Sequence, residues 1–154
     1  MASEAIRLEM VDPIRVAFVE LTGPYENWGK GLMELRKWLE SKGVRVVGSP
    51  IGLFYDNPTE TQRDKLRSEA CLPIEGDLQS EGRFRIKDLP AAQVATTQHN
   101  GPPEEYTKTY GTFLENLLRL GYSFDGPPRE TFANAIATLR PGMGIRIEQP
   151  VLTK

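Results

Sequence analysis

An α+β fold made of two tandem strand-helix-strand-strand modules, with a pseudo-twofold antiparallel sheet under two main helices, is the class this sequence predicts. Three observations carry it. Similar segments recur at an offset of 78 residues, each segment holds one stretch with the helical apolar period, and short alternating stretches flank both. With 154 residues, of which 39% are hydrophobic, the chain can bury its apolar surface as one domain over 1–154. The copies then span about 6–75 and about 83–151.

The repeat is collinear. Val16-Ala17 recurs as Val94-Ala95, and Gly23-Pro24 followed by Glu26 recurs as Gly101-Pro102 followed by Glu104. Trp28, Leu32, Leu35 and Leu39 fall on Tyr106, Tyr110, Phe113 and Leu117, each set spaced as one helix face, and Gly43 falls on Gly121. Pro50, Phe54 and Asp56 map to Pro128, Phe132 and Asn134. With one residue deleted, Leu72-Pro73-Ile74 maps to Gln149-Pro150-Val151 at an offset of 77.

Each element has a local reason. A strand over 14–21 runs into Gly23-Pro24, where proline near a helix start forfeits no hydrogen bond. The helix continues to about 41 and stops at Lys42-Gly43, a basic residue and a glycine suited to the left-handed cap. A strand ending Gly52-Leu53-Phe54-Tyr55, a turn at Asp56-Asn57-Pro58 and a return strand over 66–72 complete the first copy. Residues 75–82, rich in Gly, Asp, Gln and Ser, read as a linker. The second copy gives strands over 93–98, 130–134 and 144–151 and a helix over 104–120.

Composition narrows the function. A net charge of −2 and a pI near 5.5 supply no basic stripe for phosphates, so no direct nucleic-acid partner is expected. The N-terminus lacks a signal-peptide pattern, and no run approaches the roughly 20 apolar residues of a membrane span. A cytoplasmic location without membrane contact is therefore expected. Cys71, the single cysteine, builds neither a disulfide nor a thiolate metal site and reads as a small buried residue; no metal or cofactor is implied. His99, with no Ser, Cys or second His at catalytic spacing, reads as an incidental loop residue.

Two unequal halves meeting at an axis predict a ligand groove between the modules. Positions where the copies differ are informative: Leu32 becomes Tyr110, Tyr25 becomes Pro103 and Gly52 becomes Glu130. The candidate aromatics are Tyr25, Trp28, Phe54, Tyr55, Tyr106, Tyr110 and Phe132, with core packing as the alternative for each. On the last strand Arg146 and Glu148 alternate with Ile145 and Ile147 and share a polar face; Arg67, Glu69 and Cys71 do the same in the first copy. A carboxylate beneath aromatic rings favours a flat lipophilic cation, whereas a local Arg146–Glu148 pair on a solvated face is the alternative.

The stretches Leu21-Thr22-Gly23-Pro24-Tyr25-Glu26 through Gly31, Leu35 with Trp38, Phe54-Tyr55-Asp56-Asn57-Pro58, Glu60-Thr61 and Lys65-Leu66-Arg67 resemble the GyrI-like family. That family includes the DNA gyrase inhibitory protein and the effector-binding domains of AraC-type and MerR-type multidrug-responsive regulators. The resemblance spans nearly the whole chain. It implies an SHS2-like duplicated module that binds amphipathic, often cationic and aromatic compounds. By position, Tyr25 matches an aromatic of the Gly-Pro-aromatic motif, Phe54 and Tyr55 match the pair before Asp-Asn-Pro, and Glu130 and Phe132 match a Phe-Glu-Val-Tyr segment whose flanking aromatics are replaced by Arg129 and Phe132. Relatives carry an acid where this chain has Arg146, and Glu148 lies on the same face to substitute.

The function this implies is a standalone multidrug-type binder of flat, amphipathic, hydrophobic aromatic small molecules, acting as sponge or sensor. No helix-turn-helix segment flanks the repeat, so transcriptional regulation by this chain alone is not expected. One alternative is a hydrolase of cyclopropanoid-type genotoxins, with Glu130 or Glu148 as general base, its pKa raised by burial, and a tyrosine such as Tyr110 as hydrogen-bond donor. The other is protein inhibition of DNA gyrase as partner, through an acidic face including Asp56, Glu60 and Asp64.

Overall fold

The computed structural model describes residues 6–57, 59–100, 105–132 and 144–152. It is α+β, with two helices and antiparallel strands, and divides into two compact units: Pro13–Pro90, and Met1–Asp12 with Ala91–Lys154.

In the Pro13–Pro90 unit the strands are β2 (Ile14–Thr22), β3 (Ile51–Phe54), β4 (Arg67–Pro73) and β5 (Arg85–Leu89), hydrogen-bonded in the order β3-β4-β2-β5. A 3-10 turn at Tyr25–Asn27 leads into α1 (Trp28–Ser41). Leu32, Leu35 and Leu39 are buried along it, as the helical spacing predicts. Gly43 ends it with φ +69°, where a side chain would be strained. Opposed residues share a sheet face, so the register sorts every side chain. Ala17, Val19, Leu21, Ala70, Leu72, Gly52 and Phe54 lie on the α1 side, where a Cβ on Gly31 would meet Leu21 at 2.7 Å. Val16, Phe18, Ile51, Leu53, Cys71 and Leu89 form a second buried cluster on the opposite face.

The other unit has the same strand plan. Its sheet runs β1 (Arg7–Val11), β6 (Ala92–His99), β9 (Ile145–Leu152), β8 (Arg129–Phe132), with the two-residue β7 (Ser123–Phe124) also on β9. Its helix is α2 (Tyr106–Arg119), whose Phe113 and Leu117 pack on Ala95, Ile147 and Val151.

Two strands exceed the sequence expectation. β1 and β5 lie 78 residues apart, and each precedes the long strand of its own copy. Neither forms a hairpin with that neighbour: β5 pairs with β2, and β1 pairs with β6. Their charged residues blur the alternation that marks a strand, as is common at sheet edges. The expected helix start at Glu104 and strand end at Asn134 lie outside the described residues, as does the Phe132 side chain.

His99 departs from the loop expectation. It ends β6, is buried, sets Nδ1 2.8 Å from the Thr109 hydroxyl and stands edge-on to Tyr106. Cys71 is fully buried.

Candidate functional site

The described sequence candidates divide into four groups, because alternation along a strand sends neighbours to opposite faces. In the Pro13–Pro90 unit, Tyr25, Trp28 and Phe54 lie on the α1 side. Tyr25 meets Phe54 edge-on at 4.9 Å, and Trp28 lies 6.2 Å from the same ring. Their polar atoms bond to main chain: the Tyr25 hydroxyl donates to the Asp56 carbonyl at 2.7 Å and Trp28 Nε1 to the Glu69 carbonyl at 3.0 Å. These three fasten the start of α1 to β3 and β4.

Tyr55, one residue beyond Phe54, turns to the opposite face. There it reaches Glu69, placed by β4 between Glu20 of β2 and Leu53 of β3. The Tyr55 hydroxyl donates to Glu69 Oε2 at 2.8 Å, and Lys87 Nζ of β5 lies 2.5 Å from Oε1. The ammonium also lies 4.2 Å from the centre of the Phe18 ring. Glu69 is 6% exposed and Tyr55 39%, so the acid is the floor and the phenol ring part of the mouth. Burial and the Glu69 carboxylate together push the Tyr55 hydroxyl well above its ordinary pKa, which keeps it a donor. A pocket of about 310 Å³ opens here, lined by Tyr55, Glu69, Arg67, Glu20, Thr22 and others. Arg67 also lies 5.8 Å from the Tyr55 ring and pairs with Asp56, whose carboxyl it holds below the usual range.

In the other unit, Glu130 shares the helix-side face with its cross-strand partner Ile147. It accepts the Tyr106 hydroxyl, and Tyr106 stacks on Tyr110 at 6.2 Å. Burial pushes the Glu130 carboxyl up to about 7, with the Tyr106 hydrogen bond opposing. The phenol in turn is raised, by burial first and then by the carboxylate. The unequal pair Gly52 and Glu130 is thereby explained. Trp28 and Tyr106 are repeat equivalents, and a Cβ on Gly52 would sit 3.3 Å from the Trp28 indole and 2.6 Å from the Phe54 ring. The smaller phenol leaves room for a carboxylate, which its hydroxyl then satisfies.

Arg146 and Glu148 do share a face, as the alternation predicts, but it is the face opposite Glu130. Arg146 donates to Glu148 and to Glu9 of β1, each at 2.7 Å. Burial would lower the Arg146 pKa, yet these two acids hold it above its ordinary value. The sequence candidates Glu130, Arg146 and Glu148 are thus not one cluster.

Neither Glu69, which lines the Tyr55 pocket, nor Lys87, which pairs with it, was singled out from the sequence as a site residue. Glu69 was seen only as a member of an alternating face, and Lys87 lies on the edge strand that the pattern did not disclose. The available signal was the repeat: Glu69 is the counterpart of Arg146, and Lys87 of Glu9.

No group of three or more His, Cys, Asp or Glu able to hold a metal ion is present among the described residues, and none of their helices is long and apolar enough to cross a membrane.

The duplicated α+β plan is that of a small-molecule-binding domain. The chain belongs to the GyrI-like family: the model of the GyrI-like small molecule binding domain matches residues 4–143. It is 29% identical over 109 residues to the DNA gyrase inhibitor of Escherichia coli K12, covering 68% of each chain. The C-terminal domain of EcmrR is similar in fold, with a TM-score of 0.85 at 18% identity over 98% of this chain and 99% of that one. In the EcmrR–DNA complex the match spans 59% of the EcmrR chain, with a TM-score of 0.86 at 16% identity over 99% of this chain. SAV2435 bound to tetraphenylphosphonium has a TM-score of 0.59 at 9% identity, covering 96% of this chain and 94% of that one.

Proposed function

We propose that this protein binds flat, amphipathic aromatic molecules, with affinity for those carrying a positive charge, and serves as a sponge or sensor for them. The observation that carries the reading is Glu69, a buried carboxylate at the floor of a pocket whose mouth holds the Tyr55 ring. A planar ligand gains ring contact with Tyr55, and its cation gains the carboxylate at low dielectric. The tetraphenylphosphonium bound to SAV2435 shares the aromatic rings and the positive charge of such a ligand, though its phosphorus is tetrahedral rather than planar. Fluorescence titration with a cationic rhodamine and neutral Nile red tests the reading. Saturable binding, weakened by Tyr55→Ala, is expected; absence of saturable binding of either dye overturns it.

A second reading has its own observation. Glu130, with a pKa near 7 and a hydrogen bond from Tyr106, is poised as a general base for water attacking a strained electrophile. The Tyr106 hydroxyl donates to the base itself, which leaves Tyr110 as the tyrosine for the leaving group, and Glu148, tied to Arg146, is the poorer base. Mass spectrometry of a cyclopropanoid alkylating agent after prolonged incubation tests it, with unchanged compound as the contrary result.

Inhibition of DNA gyrase rests on the relatives' name. Of the acidic face invoked for it, Asp56 is spent on Arg67, which donates from Nε at 3.0 Å and from Nη2 at 2.9 Å.

A further inference from the structure

We propose that Lys87 is a resident counter-ion that occupies the cation seat of the Pro13–Pro90 unit and thereby sets which ligand charges the seat admits; the inference rests on the binding reading above. Its ammonium holds the two contacts that a cationic aromatic ligand would seek, the Glu69 carboxylate and the face of Phe18. With Tyr55 on Oε2 and Lys87 on Oε1, both Glu69 oxygens are occupied. The acid is only 8% exposed at its side chain, whereas Lys87 is 31% exposed and stems from the edge strand β5. A four-carbon stem so placed can swing its charge into water while the acid cannot leave.

The repeat shows that the sign of this charge is not dictated by the fold. Lys87 lies 78 residues after Glu9, and Arg146 lies 77 after Glu69. Glu9 and Arg146 form the corresponding pair in the other unit, at 2.7 Å, with the charges reversed. In both units the pair spans the middle strand: Lys87 stands opposite Val16 while Glu69 stands opposite Glu20, and Glu9 stands opposite Val94 while Arg146 stands opposite Gln98. The architecture therefore accepts either polarity, and a lysine at 87 determines what the seat presents to a ligand.

Selectivity follows from the cost of an unpaired buried charge. A cation can displace Lys87 because it restores the partner of Glu69. A neutral molecule cannot, and is left with the Tyr55 mouth. Removing the ammonium leaves Glu69 unpaired until a ligand cation arrives, so Lys87→Met raises affinity for cations specifically.

The test is dye titration of the full chain, wild type against Lys87→Met, with rhodamine 6G and Nile red. At least tenfold tighter rhodamine binding by the variant, about 1.4 kcal/mol, with Nile red affinity little changed, is expected. Rhodamine binding that is no tighter, or both dyes tightened alike, overturns the inference and leaves the binding reading intact. Loss of all dye binding in the wild type overturns both. Should Lys87→Met not fold, the wild type is reductively methylated with ¹³C-formaldehyde, which preserves the lysine charge, and the Lys87 signal is assigned with Lys87→Arg. Saturating tetraphenylphosphonium moves that signal towards those of exposed lysines if the seat is exchanged; an unmoved signal under saturation refutes displacement.

Discussion

Replacing Glu130 by glutamine tests the energetics of this half-buried acid most sharply. The carboxyl rises from an ordinary 4.5 to about 7 because folding withdraws it from water. Between these values the folded protein retains a proton that the unfolded chain has released, so stability falls as pH rises from 4.5 to 7 and is level above. The shift corresponds to about 3 kcal/mol at 1.36 kcal/mol per pKa unit, an upper bound for this half-buried group. Glutamine keeps an oxygen to accept the Tyr106 hydroxyl and carries no charge. Glu130→Gln is therefore expected to match wild type at pH 4 and to exceed it by up to about 3 kcal/mol at pH 8, worth roughly 6–12 °C in Tm for a chain of this size. Thermal melts across that range, followed by circular dichroism, give the answer. A variant that melts no higher than wild type at pH 8, or differs from it equally at both ends, refutes the argument.

Gly52→Ala places a methyl 2.6 Å from the Phe54 ring and should cost about 1–3 kcal/mol in the denaturant midpoint, by overpacking the seam with Trp28. Tyr55→Phe removes the donor to Glu69 while Lys87 remains, and should cost about 1 kcal/mol given the exposure of the ring. In the same variant the phenolate absorbance gained near pH 10 should equal that of wild type, since burial and Glu69 hold Tyr55 protonated there. Supercoiling by DNA gyrase should be unaffected by excess protein; inhibition would restore the acidic-face reading.

The helix faces and long strands were legible because periodicity is local: Leu32, Leu35 and Leu39, and the pairing of Arg146 with Glu148 on one face, follow from spacing alone. Which side of each sheet the helix covers is not local. Glu130, Arg146 and Glu148 were therefore all candidates for one groove, whereas the register sets Glu130 beside Ile147 and the other two on the reverse. The edge strands were hidden for a related reason. Arg7–Val11 and Arg85–Leu89 carry charges that obscure their alternation, yet those charges, Glu9 and Lys87, complete the ion pairs with Arg146 and Glu69. The offset of 78, extended to these strands, was the one sequence signal able to reveal them.

A crystal structure with rhodamine 6G bound tests the central claim most directly. The account predicts the dye stacked against Tyr55 with its cationic nitrogen about 4 Å or less from the Glu69 carboxylate. Dye held instead against Tyr106 and Glu130, with the Tyr55 pocket unchanged, would contradict it.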